Sequence, residues 1–92
     1  MKRLLASRDF QKQLDRLSLE EREKAWTAVR AFQTVLRESA PAKSLGLKKL
    51  AKNKYEIRAD LKTRIGIIED GDTFVLIFIG NHEDIRNFLK NY

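Results

Sequence analysis

The chain has 92 residues, of which 42% are hydrophobic and 35% are charged. That length and balance predict one soluble domain, residues 1–92, with a modest core. The sequence contains no cysteine and a single histidine, so disulfides are excluded and we expect neither a metal site nor a cofactor. No apolar run approaches the length of a membrane span and no targeting motif is present, which favours a cytoplasmic protein. The net charge of +6 indicates a polyanionic partner, such as nucleic acid, the ribosome or an acidic protein.

The first half of the chain predicts a short strand followed by a helical hairpin. Residues 2–6 are compatible with a strand, and Ser7 is a favourable N-cap for a helix. Ser18 and Glu21 form a capping box, which predicts a second helix that ends at Pro41. The apolar residues recur at helical spacing, with Phe10, Leu14 and Leu17 in the first helix and Ala25, Trp26, Val29, Phe32, Val35 and Leu36 in the second. We assign Trp26 to the core, because an aromatic residue on such a stripe is far more often core than a platform for stacking bases.

Three strands are predicted in the second half, after a lysine-rich connection over residues 42–54. Residues 55–62 alternate between apolar and polar side chains, as in a half-buried strand. A second run covers residues 64–69 and stops at Asp70-Gly71, which favours a tight hairpin. Residues 74–79 are all apolar, which is typical of a strand covered on both faces at the centre of a sheet. A short helix follows, so the predicted fold is α+β with the order β-α-α-β-β-β-α, a helical hairpin packed on a small antiparallel sheet.

Four polar residues of this sheet are candidates for a site that carries chemistry. Glu56 and Arg58 are two residues apart on one predicted strand, so their side chains share a face. Arg64 begins the next strand and is expected beside that face, while His82, the only histidine, follows the last strand. Each signal alone has a plainer explanation, since alternating Glu and Arg usually mark a solvated face and a lone surface histidine is usually a helix cap or a solvated side chain. Their convergence on one small sheet favours a site.

Such a set has the chemistry required for RNA cleavage by attack of the 2′-hydroxyl group. Histidine and glutamate are suited to taking the 2′ proton and to protonating the departing 5′ oxygen. Arginine is suited to the phosphate because its fork donates two parallel hydrogen bonds. Five basic residues around the sheet are candidates for holding the RNA backbone: Lys48, Lys49, Lys52, Lys54 and Arg86. The plainer interpretation of the lysine run is a solvated segment.

The order and spacing of these motifs resemble the RelE/ParE superfamily of bacterial toxin–antitoxin toxins over nearly the whole chain. The resemblance rests on the helical hairpin, the Asp-Gly hairpin and four segments: Lys48-Lys49-Leu50, Tyr55-Glu56-Ile57-Arg58, Thr63-Arg64-Ile65-Gly66-Ile67 and Ile79-Gly80-Asn81-His82-Glu83-Asp84-Ile85. It implies a RelE-like fold and a toxin that a cognate antitoxin protein neutralises. In RelE-like members the activity is cleavage of mRNA in the ribosomal A site without a metal, so the implied partners are the antitoxin, the ribosome and mRNA.

The resemblance also implies roles for individual residues. Arg64 matches the arginine that contacts the scissile phosphate, Arg58 matches a second basic position, and His82 matches a histidine that acts as general acid or base. Two positions depart from RelE itself. Glu56 stands where RelE has lysine, so we expect it either to act as a base or to orient Arg58. Phe88 falls near a RelE tyrosine, for which Tyr92 is a candidate replacement.

Two other functions remain open for a chain of this kind. ParE-like members share the fold but bind and inhibit DNA gyrase, without a nuclease site. The histidine and the third-strand arginine favour the RelE-like alternative. A third possibility is a degenerate member that only binds its antitoxin and helps to repress its own operon.

Overall fold

The computed structural model describes residues 3–38 and 47–91, which form five strands and three helices. In chain order these are β1 (Arg3–Ala6), α1 (Arg8–Asp15), α2 (Leu19–Glu38), β2 (Lys48–Ala51), β3 (Lys54–Arg58), β4 (Arg64–Asp70), β5 (Thr73–Gly80) and α3 (His82–Asn91). The α+β class is confirmed. Strand β2 was predicted as a connection, because its sequence KKLA has the composition of a solvated segment. The predicted helix end at Pro41 and the candidate Tyr92 lie outside the described residues.

The strands form one mixed sheet in the order β1-β5-β4-β3-β2. Strands β2 to β5 pair antiparallel with their neighbours, while β1 lies parallel to β5 at the edge. The prediction of an antiparallel sheet is therefore wrong at β1. This first strand of the chain pairs with β5, the last strand, and runs parallel to it. Strand β4 lies at the centre of the sheet and β5 is next to it, paired on both edges.

Two strand boundaries differ from the prediction because of the turns next to them. Strand β3 ends at Arg58 rather than at residue 62, because the Asp60 carboxylate accepts hydrogen bonds from the backbone N–H groups of Lys62 and Thr63 and turns the chain. The hairpin between β4 and β5 has Gly71 and Asp72 at its tip, one residue later than predicted, since Asp70 already pairs with Thr73. Gly71 has a φ of 62°, as the first central position of such a turn requires.

The sheet is covered on both faces. On one side, here called the hairpin face, Ile57, Ile65 and Ile79 pack with α1 and α2 around Phe10 and Phe32. The other side, here called the α3 face, carries a smaller cluster of Phe78, Ile85 and Phe88. The all-apolar sequence of β5 supplies residues to both clusters, which confirms that this strand is covered on both faces.

The two helix starts of the hairpin have the predicted caps. The Ser7 hydroxyl accepts the N–H of Phe10 at 3.1 Å and donates to the Ile77 carbonyl at 3.0 Å, which ties α1 to β5. Ser18 and Glu21 exchange two 3.2 Å hydrogen bonds, so the capping box is confirmed.

Trp26 does not lie in the core, so its assignment there is wrong: its side chain is 41% exposed. The face of α2 that packs on the sheet runs through Ala25, Val29 and Phe32. Trp26 follows Ala25 and is therefore turned by about 100° around the helix axis, away from the sheet. None of the helices within residues 3–38 and 47–91 has the length and apolar character needed to cross a membrane.

Candidate active site

The ladder of hydrogen bonds brings the predicted catalytic residues to one end of the sheet. Arg58 pairs with Arg64 across β3 and β4, and Arg64 pairs with Gly80 across β4 and β5. His82 follows only two residues after Gly80. Residues directly opposite each other in a ladder share a face, and Gly66, opposite Glu56, abuts Phe78 of the α3 cluster. Glu56 and Arg64 therefore lie on the α3 face, at the end of the sheet where α3 begins.

The guanidinium group of Arg64 is held by the loop that precedes it. Its Nη1 donates to the carbonyl oxygens of Asp60 at 2.9 Å and Leu61 at 3.2 Å, with a longer contact of 3.5 Å to the Thr63 carbonyl. Its Nε lies 4.0 Å from Oε2 of Glu56, and the two side chains are only 13% and 12% exposed. None of these contacts uses Nη2, which carries two further N–H donors.

The loop that holds Arg64 is itself fixed by the Asp60 side chain. Oδ1 of Asp60 accepts the N–H groups of Lys62 at 2.9 Å and Thr63 at 2.7 Å, and Oδ2 lies 4.0 Å from Nζ of Lys24 on α2. The hydrogen bond from the Lys62 amide lowers the pKa of Asp60, with further lowering by Thr63 and Lys24, while partial burial opposes these effects. The folded loop therefore favours the ionised form of Asp60, and it connects α2 to the position of Arg64.

Glu56 lies beside the guanidinium group of Arg64. Its Oε2 is buried and has no hydrogen-bond partner within the described residues, with Arg64 as the cation beside it at 4.0 Å. A buried carboxylate that lacks hydrogen bonds depends on a nearby cation for its charge balance. The contact with Arg64 adds to the expectation that Glu56 orients Arg58, which stays a prediction.

Arg58 occupies a different setting at the same end of the sheet. Its side chain is exposed, and with Ala59 it lines an open groove of about 430 Å³ between the end of β3 and α2. The helix side of that groove carries Glu20, Glu23 and Lys24, followed by Thr27, Ala28 and Ala31. Arg58 is therefore an exposed cation directly opposite Arg64 in the ladder, beside the more buried Arg64–Glu56 pair.

His82 is positioned by a tight helix start. The Asn81 side chain accepts the N–H groups of Glu83 and Asp84 at 3.0 Å each, and Oδ2 of Asp84 accepts the Asn81 N–H at 2.8 Å. Gly80 allows this arrangement, because a Cβ atom there would overlap the Asp84 carboxylate. His82 is thus the exposed first residue of α3.

The direction of α3 relative to the sheet is given by a contact near its carboxyl-terminal end. His82, Arg86 and Leu89 recur at i, i+4 and i+7 and so lie along one side of the helix. The Leu89 carbonyl at the end of this helix accepts a hydrogen bond from Lys54 of β3 at 3.3 Å. Helix α3 therefore extends from the His82 end of the sheet towards Lys54, with Arg86 exposed between them.

The four lysines predicted to bind RNA lie on different faces of the sheet and differ in their exposure. Lys48 pairs with Glu56 and lies on the α3 face, whereas Lys49 pairs with Tyr55 and lies above that ring at 5.9 Å, on the hairpin face. Lys52 is exposed in the turn between β2 and β3. Lys54 is only 9% exposed, and its amine lies 5.7 Å from the centre of the Phe88 ring beneath α3.

The surroundings of the site include three residues that fix its backbone, of which the sequence suggested Asn81 as a helix cap and Asp84 as an anion in the first turn of the helix, but not Asp60. Through their hydrogen bonds these residues set the backbone around Arg64 and His82. Asp60 could have been recognised from the spacing Asp-x-Lys-Thr after a strand, which favours a side-chain turn. Within residues 3–38 and 47–91, no three histidine, aspartate or glutamate side chains are grouped so that they could hold a metal ion.

A mixed five-stranded sheet with a helical hairpin on one face and a terminal helix on the other is the fold of RelE- and YafQ-type toxins, and this chain has that fold. It is similar to RelE in a RelB–RelE antitoxin–toxin complex from Methanococcus jannaschii, with 24% identity, a TM-score of 0.69 and coverage of 91% of this chain and 96% of that chain. A copper-bound mutant toxin from Helicobacter pylori gives 20% identity and a TM-score of 0.71 over 92% of this chain and 99% of that one. YafQ in the E. coli DinJ–YafQ complex gives 14% identity and a TM-score of 0.64, with 92% and 98% covered. Comparison with protein-family models and with curated proteins gives no match.

Proposed function

We propose that this protein is the toxin of a type II toxin–antitoxin system and acts as a metal-independent endoribonuclease that cuts mRNA on the ribosome and stops translation. The fold shared with RelE and YafQ supports the toxin assignment. The observation that carries the nuclease assignment is Arg64, whose guanidinium group is held between two loop carbonyls and the Glu56 carboxylate at the end of the sheet where His82 begins α3.

The proposed reaction is an attack of the ribose 2′ oxygen on the adjacent phosphorus. A P–O2′ bond forms and the P–O5′ bond breaks, leaving a 2′,3′-cyclic phosphate and a 5′-hydroxyl end. Arg64 would bind the non-bridging oxygens through its Nη2 donors, and Arg58 would supply a second, more exposed cation. His82 would either take the proton from the 2′ oxygen or donate one to the departing 5′ oxygen, and water would exchange the other proton. Each well-placed donor to the developing charge is worth about 2.7–4 kcal/mol in the transition state.

Glu56 is proposed as a positioning residue. Its side chain is 12% exposed and lies against Nε of Arg64, so its carboxylate would fix the orientation of the guanidinium group and leave Nη2 directed outward. The alternative role of a general base requires direct contact with the 2′-hydroxyl group, which the complete burial of the Oε2 atom beside Arg64 disfavours.

The proposed RNA-binding surface is smaller than the sequence suggested. Lys48 on the α3 face, Lys52 in its turn and Arg86 on α3 are exposed, and together they would hold the backbone of the message or of ribosomal RNA. Lys49 lies on the hairpin face, where it would contact ribosomal RNA rather than the scissile region. Lys54 is engaged with α3 and is proposed to act in the fold.

A cognate antitoxin protein is the proposed regulatory partner. RelE is found with RelB and YafQ with DinJ in two of the similar structures. We therefore expect a small protein that binds this chain and relieves translation arrest.

The test is translation in a cell-free extract, with mapping of transcript ends. Wild-type protein should arrest translation and leave cut messages, whereas folded Arg64→Ala and His82→Gln variants should leave messages intact. Arg8→Ala, which removes an exposed arginine of α1, is the matched control and should cut like the wild type. Full cutting by a folded variant that lacks both Arg64 and His82 would refute the nuclease site. Intact transcripts together with inhibited DNA gyrase would instead identify a ParE-like inhibitor.

A further inference from the structure

The short loop between β3 and β4, residues 59–63, closes on itself through its own hydrogen bonds. The backbone N–H groups of Ala59 and Asp60 donate to the Thr63 carbonyl at 3.0 Å and 3.4 Å. Those of Lys62 and Thr63 donate to Oδ1 of Asp60 at 2.9 Å and 2.7 Å. Four backbone N–H groups of this loop are therefore bonded inside it, and two of these bonds end on one carboxylate oxygen.

The closed loop presents carbonyl oxygens to the arginine of the candidate site. Nη1 of Arg64 lies 2.9 Å from the Asp60 carbonyl oxygen and 3.2 Å from that of Leu61. Both distances are shorter than the 4.0 Å between Nε of Arg64 and Oε2 of Glu56. The loop backbone therefore makes the closer contacts to the guanidinium group and, together with Glu56, fixes the direction of Nη2.

Asp60 takes part in this arrangement with two different groups. Its carboxylate accepts the loop amides, and its carbonyl oxygen accepts the Arg64 guanidinium group. An aspartate side chain that accepts the amides two and three residues ahead stabilises a turn that competes with extended backbone. Removal of the carboxylate would free both amides, so the loop carbonyl groups could turn away from Arg64.

The hydrogen bonds of Asp60 contribute more to this turn than its charge does. Lys24 lies 4.0 Å from Oδ2, with the two side chains 47% and 27% exposed, and ion pairs of that exposure contribute little. The amide of Lys62 is the main cause of the lowered pKa of Asp60, while Lys24 contributes least. Asparagine, whose side-chain oxygen can accept the same two amides, should therefore preserve the loop.

We infer that Asp60 is a positioning residue of the nuclease site and acts on the reaction only through the guanidinium group of Arg64. The inference rests on the proposed function, since it concerns the arginine that would bind the scissile phosphate. Donors stabilise a transition state when they are held in place before the reaction, and a misplacement of about 1 Å can cost about 10²-fold in rate.

The first arm of the test measures message cleavage on programmed ribosomes, with folded variants below their melting temperatures. Asp60→Ala should lower kcat by about 10²-fold with KM unchanged, because Arg64 is displaced while the RNA-binding side chains are kept. Asp60→Asn should remain within about threefold of the wild type, since a neutral acceptor forms the same hydrogen bonds more weakly. Asp15→Ala, which removes an exposed carboxylate at the end of α1, is the matched control and should cleave at the wild-type rate.

The second arm repeats Asp60→Ala in a protein that already carries Arg64→Ala. A residue that acts only through Arg64 has nothing left to act on, so the double variant should cleave at the same rate as Arg64→Ala alone. A general structural role of Asp60 would instead slow both backgrounds by the same factor.

The third arm does not depend on activity and uses NMR spectroscopy of the nitrogen-labelled Arg64 side chain. Hydrogen bonds at Nη1 hinder rotation of the guanidinium group about its Cζ–Nε bond. The two Nη atoms should therefore give separate signals in the wild type and in Asp60→Asn, and one averaged signal in Asp60→Ala.

Four results would overturn the inference. These are a wild-type cleavage rate in Asp60→Ala, an equal loss of rate in both backgrounds, an Asp60→Asn variant as slow as Asp60→Ala, or Arg64 signals that Asp60→Ala leaves unchanged. Failure of the wild type to cut messages would refute the proposed function separately, because the NMR arm still reports whether Asp60 holds Arg64.

Discussion

Replacing Lys54 with methionine should lower the stability of the fold without weakening RNA binding. Lys54 is one of the lysines that the sequence suggests for RNA, but its amine is buried beneath α3. It donates to the Leu89 carbonyl at 3.3 Å and lies 5.7 Å from the centre of the Phe88 ring. Methionine retains an unbranched apolar side chain of similar length, so the change removes the charge and the hydrogen bond while preserving most of the packing.

The expected loss follows from these two contacts. A hydrogen bond from a charged donor contributes about 1.5–3 kcal/mol, and the 3.3 Å distance favours the lower end of that range. A cation near the 6 Å limit of an aromatic ring adds about 0.5 kcal/mol. The free energy of unfolding should therefore fall by about 2 kcal/mol, which for a domain of this size lowers Tm by about 8–16 °C.

Urea denaturation and thermal melting measure this change, with Lys52→Met as the matched control. Lys52 is exposed in its turn, so its substitution should change stability by less than about 0.5 kcal/mol. The salt dependence of RNA binding should be unchanged in Lys54→Met, and its slope should fall by about 0.7 in Lys48→Met for the loss of one contact to a single strand. A Lys54→Met variant with unchanged Tm and a reduced salt slope would refute the structural role of this lysine.

Three further predictions concern the elements that position the site. Gly66→Ala should destabilise the protein by about 1–3 kcal/mol in urea, because its Cβ would overlap the Phe78 ring; an unchanged midpoint would contradict the close packing. Ser7→Ala should cost about 1 kcal/mol through loss of the helix cap, and a Tm equal to that of the wild type would exclude this capping role. The lowered pKa of Asp60 means that its contribution to stability is present above the ordinary pKa of 3.8 and is lost as pH falls through the lower folded value. Asp60→Ala should therefore have a lower Tm than the wild type near neutral pH, and this difference in Tm should become smaller in strong acid. A difference in Tm that does not change with pH would refute this linkage.

The parts of the fold that the sequence predicts are those set by local patterns. The alternation from residue 55, the apolar run of β5 and the two serine caps each specify an element from a few neighbouring residues. Strand β2 was not predicted, because its KKLA sequence has no local strand pattern and forms a strand by pairing with β3. Trp26 was misassigned because it borders the buried stripe of α2, and the packing angle of the helix decides which border residues remain exposed.

The same distinction applies to the candidate site. The shared face of Glu56 and Arg58 follows from strand periodicity, and the position of Arg64 follows from the pairing of adjacent strands. The contact between Arg64 and Glu56 depends on the bent loop before β4, whose carbonyl groups accept hydrogen bonds from the Arg64 guanidinium group and hold it in place. The burial of Lys54 depends on where α3 lies across the sheet, which the sequence does not specify locally.

The most direct test of the central claim is the rate of message cleavage on programmed ribosomes at saturating protein, compared between the wild type and Arg64→Ala. Loss of a donor that stabilises the charge developing on the phosphate should lower this rate by about 10²–10³-fold, with Arg8→Ala unchanged and the wild-type products ending in 2′,3′-cyclic phosphate. A folded Arg64→Ala variant that cleaves at the wild-type rate would contradict the account.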